Sequence, residues 1–272
     1  MANTDKSQPI GIFDSGVGGL TVTREILKIL PNEDLVYFGD TGRTPYGPRS
    51  KDIVIQFSKQ DANFLVEQNV KLVVVACNTA SSFALDELKK NFSVEMIGVI
   101  EPGSVSAVRA TKNGKIGIIG TAGTISSDAY ARTIEKLDPN IKAFSLACPL
   151  FVPIVEEGYI QKEATYLIAE EYLQPFKSNG IDTLILGCTH YPLLKDIIHK
   201  VLGRDIVLID SAEETAQVVY KKLIELDLLR EKTAQVSHKF YVSDFPERFQ
   251  QVGRYFMGDS IKNVIRVDIT KY

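Results

Sequence analysis

The run Ile10-Gly11-Ile12-Phe13-Asp14-Ser15-Gly16 returns 106 residues later as Ile116-Gly117-Ile118-Ile119-Gly120-Thr121-Ala122. A second run, Leu72-Val73-Val74-Val75-Ala76-Cys77-Asn78-Thr79, returns after 111 residues as Thr183-Leu184-Ile185-Leu186-Gly187-Cys188-Thr189-His190. Each is an apolar, largely β-branched stretch that ends in a small polar turn. Two such matches at nearly one spacing restrict the chain to two similar halves, with the break near residues 98–101.

Between and around these runs the pattern alternates. Strand-like segments recur at 9–14, 34–40, 71–77, 94–100, 115–120, 141–146, 183–188 and 206–210. Segments with helical spacing of apolar residues lie at 20–30, 53–67, 130–137, 163–176 and 214–226. Strand then helix, repeated, predicts an α/β protein of two pseudo-symmetric domains, each a largely parallel sheet covered on both faces.

Composition excludes several classes. At 272 residues the chain buries enough surface to fold without a disulfide or metal staple. With 31 Lys and Arg against 34 Asp and Glu, no positive field favours nucleic acid. Only residues 230–272 lean basic, and the reading there is a solvated face, with a partner surface as the alternative. No apolar run is long enough for a membrane span, and the start lacks the basic-then-apolar layout of a secretory signal, so a cytoplasmic location is expected. Thiols stay reduced there, so each cysteine is weighed by itself.

In parallel sheets ligands bind beyond the carboxyl ends of the strands, and that is where Cys77 and Cys188 stand. Each is followed by polar residues and a predicted helix start, whose free N–H groups and positive dipole end favour a carboxylate and a thiolate. One cysteine closing a strand is ordinarily a small core residue; two at equivalent positions of two halves point to function. Cys148 has no such echo and reads as core or loop. Two thiols on opposite sides of a cleft suit inversion at carbon: one removes a proton, and the other returns a proton to the opposite face. The spacing is not that of a zinc site.

Other clusters fit the same cleft. Asp14-Ser15-Gly16-Val17-Gly18-Gly19 opens the first helix but is not a dinucleotide fingerprint. Asp14 is suited to an ammonium group or a thiol proton. The loop from Asp40 to Gly47 offers substrate contacts. Glu156 or Glu157, about 110 residues beyond Tyr46-Gly47, would line the opposite side, and His190 would tune Cys188. His199 and His238 read as surface or core.

The motifs around Asp14, Tyr46-Gly47, Ala76-Cys77-Asn78-Thr79-Ala80 and Leu186-Gly187-Cys188-Thr189-His190-Tyr191-Pro192 resemble, in order and spacing, those of bacterial glutamate racemases of the aspartate/glutamate racemase family. The likeness spans roughly residues 9–226. It implies interconversion of L- and D-glutamate without pyridoxal phosphate, metal or other cofactor, supplying D-glutamate for peptidoglycan, with the active site between two α/β domains. It implies Cys77 as the base for D-glutamate and Cys188 for L-glutamate, Asp14 assisting the first, and His190 with Glu156 the second. Ser15, Tyr46, Gly47, Asn78, Thr79, Thr121 and Thr189, together with Asp14 and His190, would hold the substrate. It further implies that residues 211–272 return to 1–98 as one discontinuous domain around 99–210, and that the enzyme is a homodimer. Two other classes remain open at this point: a racemase for a neighbouring amino acid, and a non-catalytic amino-acid binding module.

Overall fold

The computed structural model describes residues 5–231 and 235–272. The basic stretch noted above therefore lies partly outside the described residues. In chain order the first half holds β1 (Ile10–Asp14), α1 (Leu20–Ile29), β2 (Leu35–Gly39), α2 (Lys51–Glu67), β3 (Leu72–Val75), α3 (Asn78–Asn91) and β4 (Glu95–Gly98). Then come α4 (Ile100–Ala110), β5 (Lys115–Gly120), α5 (Ala122–Ser126), α6 (Ala129–Leu137), β6 (Lys142–Ala147), α7 (Phe151–Glu156), α8 (Glu163–Asn179), β7 (Thr183–Gly187), α9 (Lys195–Leu202) and β8 (Val207–Ile209). The chain ends with α10 (Ser211–Glu225), β9 (His238–Val242), α11 (Pro246–Met257) and β10 (Ile265–Arg266).

All pairings between strands are parallel. The first sheet runs β10-β9-β2-β1-β3-β4 and the second β6-β5-β7-β8. Mapping β1 onto β5 and β3 onto β7, as the sequence echo requires, also maps β2 onto β6 and β4 onto β8. The repeat in sequence is thus a repeat in topology. The eight expected strands form; β9 and β10 do not appear in the sequence reading. They extend the first sheet beyond β2, with Tyr37 opposite Phe240.

The apolar runs explain the layering. Every residue of β1, β2, β3 and β7 is buried, as strands covered on both faces require, whereas β6 and β8 at the edges are partly exposed. Helix α10 packs against α1 and α4 and so bridges the two halves. One apolar cluster includes Ile12, Tyr37, Leu186, Cys188 and Phe256, so the halves share a core.

Register places the site. Phe13 pairs with Val75, so the residues after β1 and β3, including Ser15 and Cys77, stand side by side at the carboxyl edge. In the second sheet Gly120 pairs with Gly187, which sets Thr121 beside Cys188.

Candidate active site

Cys77 is the N-cap of α3, and its Sγ accepts the Ala80 N–H at 3.5 Å. Sγ also lies 3.7 Å from Ser15 Oγ. These contacts favour a thiolate, as the cap position leads one to expect. The outcome is the reverse: burial, reinforced by the nearby Asp14 carboxylate, pushes the thiol up to about 12. The dipole and two weak sulfur bonds do not offset removal from water. Cys77 is accordingly held as the neutral thiol.

Cys188 is followed by a four-residue 3₁₀ turn, Tyr191–Leu194, and not directly by an α-helix, so the helix-start argument does not apply to it. Its neighbour does the work instead. His190 Nδ1 lies 3.8 Å from Cys188 Sγ, and His190 Nε2 lies 2.8 Å from Glu156 Oε1. Burial alone would lower the imidazole, but hydrogen bonds and charges of Cys188 and Glu156 outweigh it and raise His190 from 6.5 to about 10. At neutral pH it is an imidazolium held between a carboxylate and a sulfur. The two thiols therefore meet different partners: a buried carboxyl beside Cys77, a cation beside Cys188.

The polar cradle comes from both halves. Asp14 is fully buried; its Oδ1 accepts the Gly16 N–H at 3.0 Å, and its Oδ2 has no partner at hydrogen-bonding geometry. Burial, partly countered by His190, raises its carboxyl above the usual range. Asn78 Oδ1 accepts from the Tyr130 hydroxyl at 2.8 Å, across the halves, while its buried Nδ2 is unpartnered. Unpaired buried groups are rare and are commonly explained by a ligand or water they serve. An acceptor and a donor are what an amino acid's ammonium and carboxylate require.

The halves meet closely around these groups. Thr79 Oγ1 lies 2.8 Å from Thr121 Oγ1 and 3.1 Å from Thr124 Oγ1. Gly123 N donates to Gly47 O at 2.8 Å, and a Cβ at Gly47 would stand 2.7 Å from that of Thr121. Thr21 Oγ1 donates to Thr189 O at 3.3 Å. Gly18 has no room for a side chain, since a Cβ there would lie 2.2 Å from Thr189 Oγ1 and 2.6 Å from His190 Nδ1.

Tyr46 is placed differently from the other residues named from sequence. Its hydroxyl is bonded to Asp40 and, at 2.8 Å, to Asp61, and its ring packs on Phe57. Arg43 completes that network with Asp40 and Asp61. The side chain anchors the 40–47 loop from within the first half and leaves the backbone of Gly47 facing Gly123. Cys148 is buried core, as expected, with its carbonyl accepting from Tyr191.

A cavity of about 320 Å³ lies between the halves, lined by Thr44, Gly47, Thr121, Val152 and Glu156 among others. A second, of about 160 Å³, shares Thr44 and Glu156 with it and adds Gly16, Asp244 and Arg248. Neither cavity is lined by the two cysteines, which are each 6% exposed.

Sequence reasoning missed α11. Its Phe256 ring meets the His190 ring edge-on at 5.6 Å, and its Arg248 lines the smaller cavity. The signal was present, since Phe249, Val252, Gly253 and Phe256 recur at helical spacing and form the buried face.

Comparison with known proteins agrees with this geometry. Residues 10–219 match the family model described as Asp/Glu/Hydantoin racemase. The chain is 50% identical over 260 residues to a glutamate racemase of Geobacter metallireducens, covering 96% of each. A glutamate racemase isoform of Bacillus anthracis superposes with a TM-score of 0.93 at 42% identity, covering 97% of this chain and 98% of that one. A glutamate racemase of Francisella tularensis, solved in complex with D-glutamate, superposes with a TM-score of 0.92 at 40% identity, covering 98% of this chain and 100% of that one. The chain belongs to the Asp/Glu/Hydantoin racemase family and is an isomerase.

Proposed function

We propose that this protein interconverts L- and D-glutamate by proton transfer at Cα between two cysteines. The observation that carries the reading is the pair of thiols at equivalent strand ends of two homologous sheets, one beside Asp14 and the other beside His190. Relatives with near full coverage supply the substrate.

For L-glutamate, Cys188 is the base. The His190 imidazolium stands 3.8 Å from its sulfur, and Glu156 fixes the ring through Nε2. Cys77, protonated at neutral pH, donates to the opposite face of the carbon. D-glutamate reacts by the same path reversed, so Cys77 then acts as base. Asp14 receives the ammonium group; Asn78 Nδ2, Ser15 and the hydroxyls of Thr79, Thr121 and Thr189 receive the carboxylates, with the Gly47 backbone beside them. An amino-acid α-proton is a very weak acid, so most of the rate must come from fixed donors in a site closed to water. Because both cysteines are buried and line neither cavity, substrate entry calls for the halves to move apart, with hinges at the two crossings near 98–101 and 209–212.

The same reading divides the chain into 1–98 with 211–272, and 99–210, supported by β9 and β10 joining the first sheet. It places the enzyme in the cytoplasm as a homodimer that supplies D-glutamate for peptidoglycan, on the strength of the family likeness. Among the described residues no helix is long and apolar enough to cross a membrane. The test is incubation of metal-stripped protein with L-glutamate in D₂O, following loss of the α-proton by NMR together with loss of optical rotation. Both proceed for glutamate and not for aspartate or glutamine if the reading is right. Constant rotation with the α-proton retained for all three acids overturns it.

A further inference from the structure

Helix α11 makes three contacts with the second half that the chemistry above does not use. Arg248 Nη2 pairs with Glu157 Oε1 at 2.6 Å. The Tyr255 hydroxyl lies under Gly158, where the backbone has φ +71° and a Cβ would stand 3.0 Å from that oxygen. Phe256 presents its ring to His190 at 5.6 Å and an interplanar angle of 89°. Glu157 and Gly158 directly follow Glu156 at the end of α7. One helix, borne on the first sheet, thus grips both the segment that carries Glu156 and the ring that Glu156 binds.

We propose that Arg248 and Phe256 are positioning residues for the Glu156–His190 pair, so that the C-terminal helix sets the Cys188 side of the reaction from across the cleft. The inference rests on the two-thiol reading above. The ion pair is not explained by stability, because the Arg248 and Glu157 side chains are 47% and 60% exposed, and exposed pairs contribute little. Phe256, in contrast, is buried, and its own carbonyl accepts from Arg24 of α1 at 3.2 Å, which fixes the helix end on the first half. The titratable and charged groups that face the His190–Glu156 pair are Cys188 from the turn after β7, Asp14 from β1 and Arg248 from α11; Glu157, just after α7, is held by Arg248, and Asp244 lines the smaller cavity with Glu156. Arg248 is the cation on the outer side of this group, and its charge favours the ionised form of Glu156. Phe249 of the same helix packs instead on Tyr37 in the first half and is left unaltered in the test.

The test must separate one side of a two-sided reaction. Enantiomers have equal free energy, so any variant lowers kcat/KM by the same factor from L- and from D-glutamate. The α-deuterium isotope effect has no such constraint. If the Cys188 step is slowed, removal of the α-proton becomes more limiting from L-glutamate and less limiting from D-glutamate. Arg248→Ala and Phe256→Leu are expected to reduce kcat/KM by about 3- to 10-fold, as small misplacements of a catalytic group do. In both variants the isotope effect on kcat/KM should rise with α-deuterated L-glutamate and fall with α-deuterated D-glutamate, while Arg248→Lys restores most of the Arg248→Ala loss. Arg248→Ala should leave the melting temperature nearly unchanged, which keeps the test valid if Phe256→Leu folds poorly. Isotope effects that move together, or do not move, overturn the inference while the two-thiol reading stands. Failure of the unsubstituted protein to racemise glutamate overturns both.

Discussion

Replacing Glu156 by Gln keeps the shape and a hydrogen-bond acceptor for His190 Nε2 and removes only the charge. In the native site that contact is 2.8 Å long and Glu156 is 23% exposed at the side chain. A hydrogen bond to a charged group contributes about 1.5–3 kcal/mol and a neutral one about 0.5–1.5, so the charge accounts for about 1–2 kcal/mol. At about 1.4 kcal/mol per pKa unit, and taking the lower part of the range because solvent screens a partly exposed carboxylate, His190 should fall by about one unit. The native imidazole stands at about 10, raised from 6.5, so the variant should stand near ~9. A lower pKa means that the imidazolium beside Cys188 is lost at lower pH. The assay is kcat/KM for both enantiomers against pH by circular dichroism. The descending alkaline limb should move down by about one unit while activity at neutral pH stays within a few fold. The sign for stability follows from the same shift. A group raised on folding stabilises fully below its unfolded value of 6.5 and loses that contribution as pH rises through about 10. Glu156→Gln should therefore flatten the decline of stability over that window. An unmoved limb refutes the electrostatic role of Glu156, and complete loss of activity at neutral pH would make Glu156 a proton carrier instead.

Other expected outcomes are equally direct. Cys77→Ser and Cys188→Ser should each lower racemisation by about 10²- to 10⁴-fold, yet Cys188→Ser should still exchange the α-proton of D-glutamate in D₂O with retention, as NMR combined with polarimetry will show. Tyr130→Phe leaves Asn78 Oδ1 without its donor and should cost about 1–3 kcal/mol in denaturant unfolding, with a raised KM as the Asn78 amide loses its orientation. Lys71 is buried and pairs with Glu33 at 2.5 Å, while also donating to the carbonyls of Lys6 and Leu228. Lys71→Met strands the Glu33 carboxylate and should destabilise by about 3–5 kcal/mol with kcat retained; an unchanged melting temperature would show that the carboxylate finds water.

The parts of this protein that depend on neighbours in sequence were legible from sequence alone. Apolar runs bounded by small polar residues specify the strands, and the spacing of two such runs reveals the repeat, because strand burial and turn chemistry are set within a few residues. The same locality exposed Cys77 and Cys188, since each terminates a repeated strand. Tertiary structure decided what depends on distant partners. Residues 238–242 became a strand only because the edge of β2 was available for pairing. The Tyr46 hydroxyl turned to Asp40 and Asp61, which no local pattern announces. The surroundings of the two cysteines diverged although their sequences echo one another. Burial and the Asp14 carboxylate keep Cys77 protonated, whereas Glu156, 34 residues from His190, holds a cation beside Cys188. Desolvation and charge are sums over everything that folding brings near, so equivalent motifs in two halves meet different electrostatic surroundings.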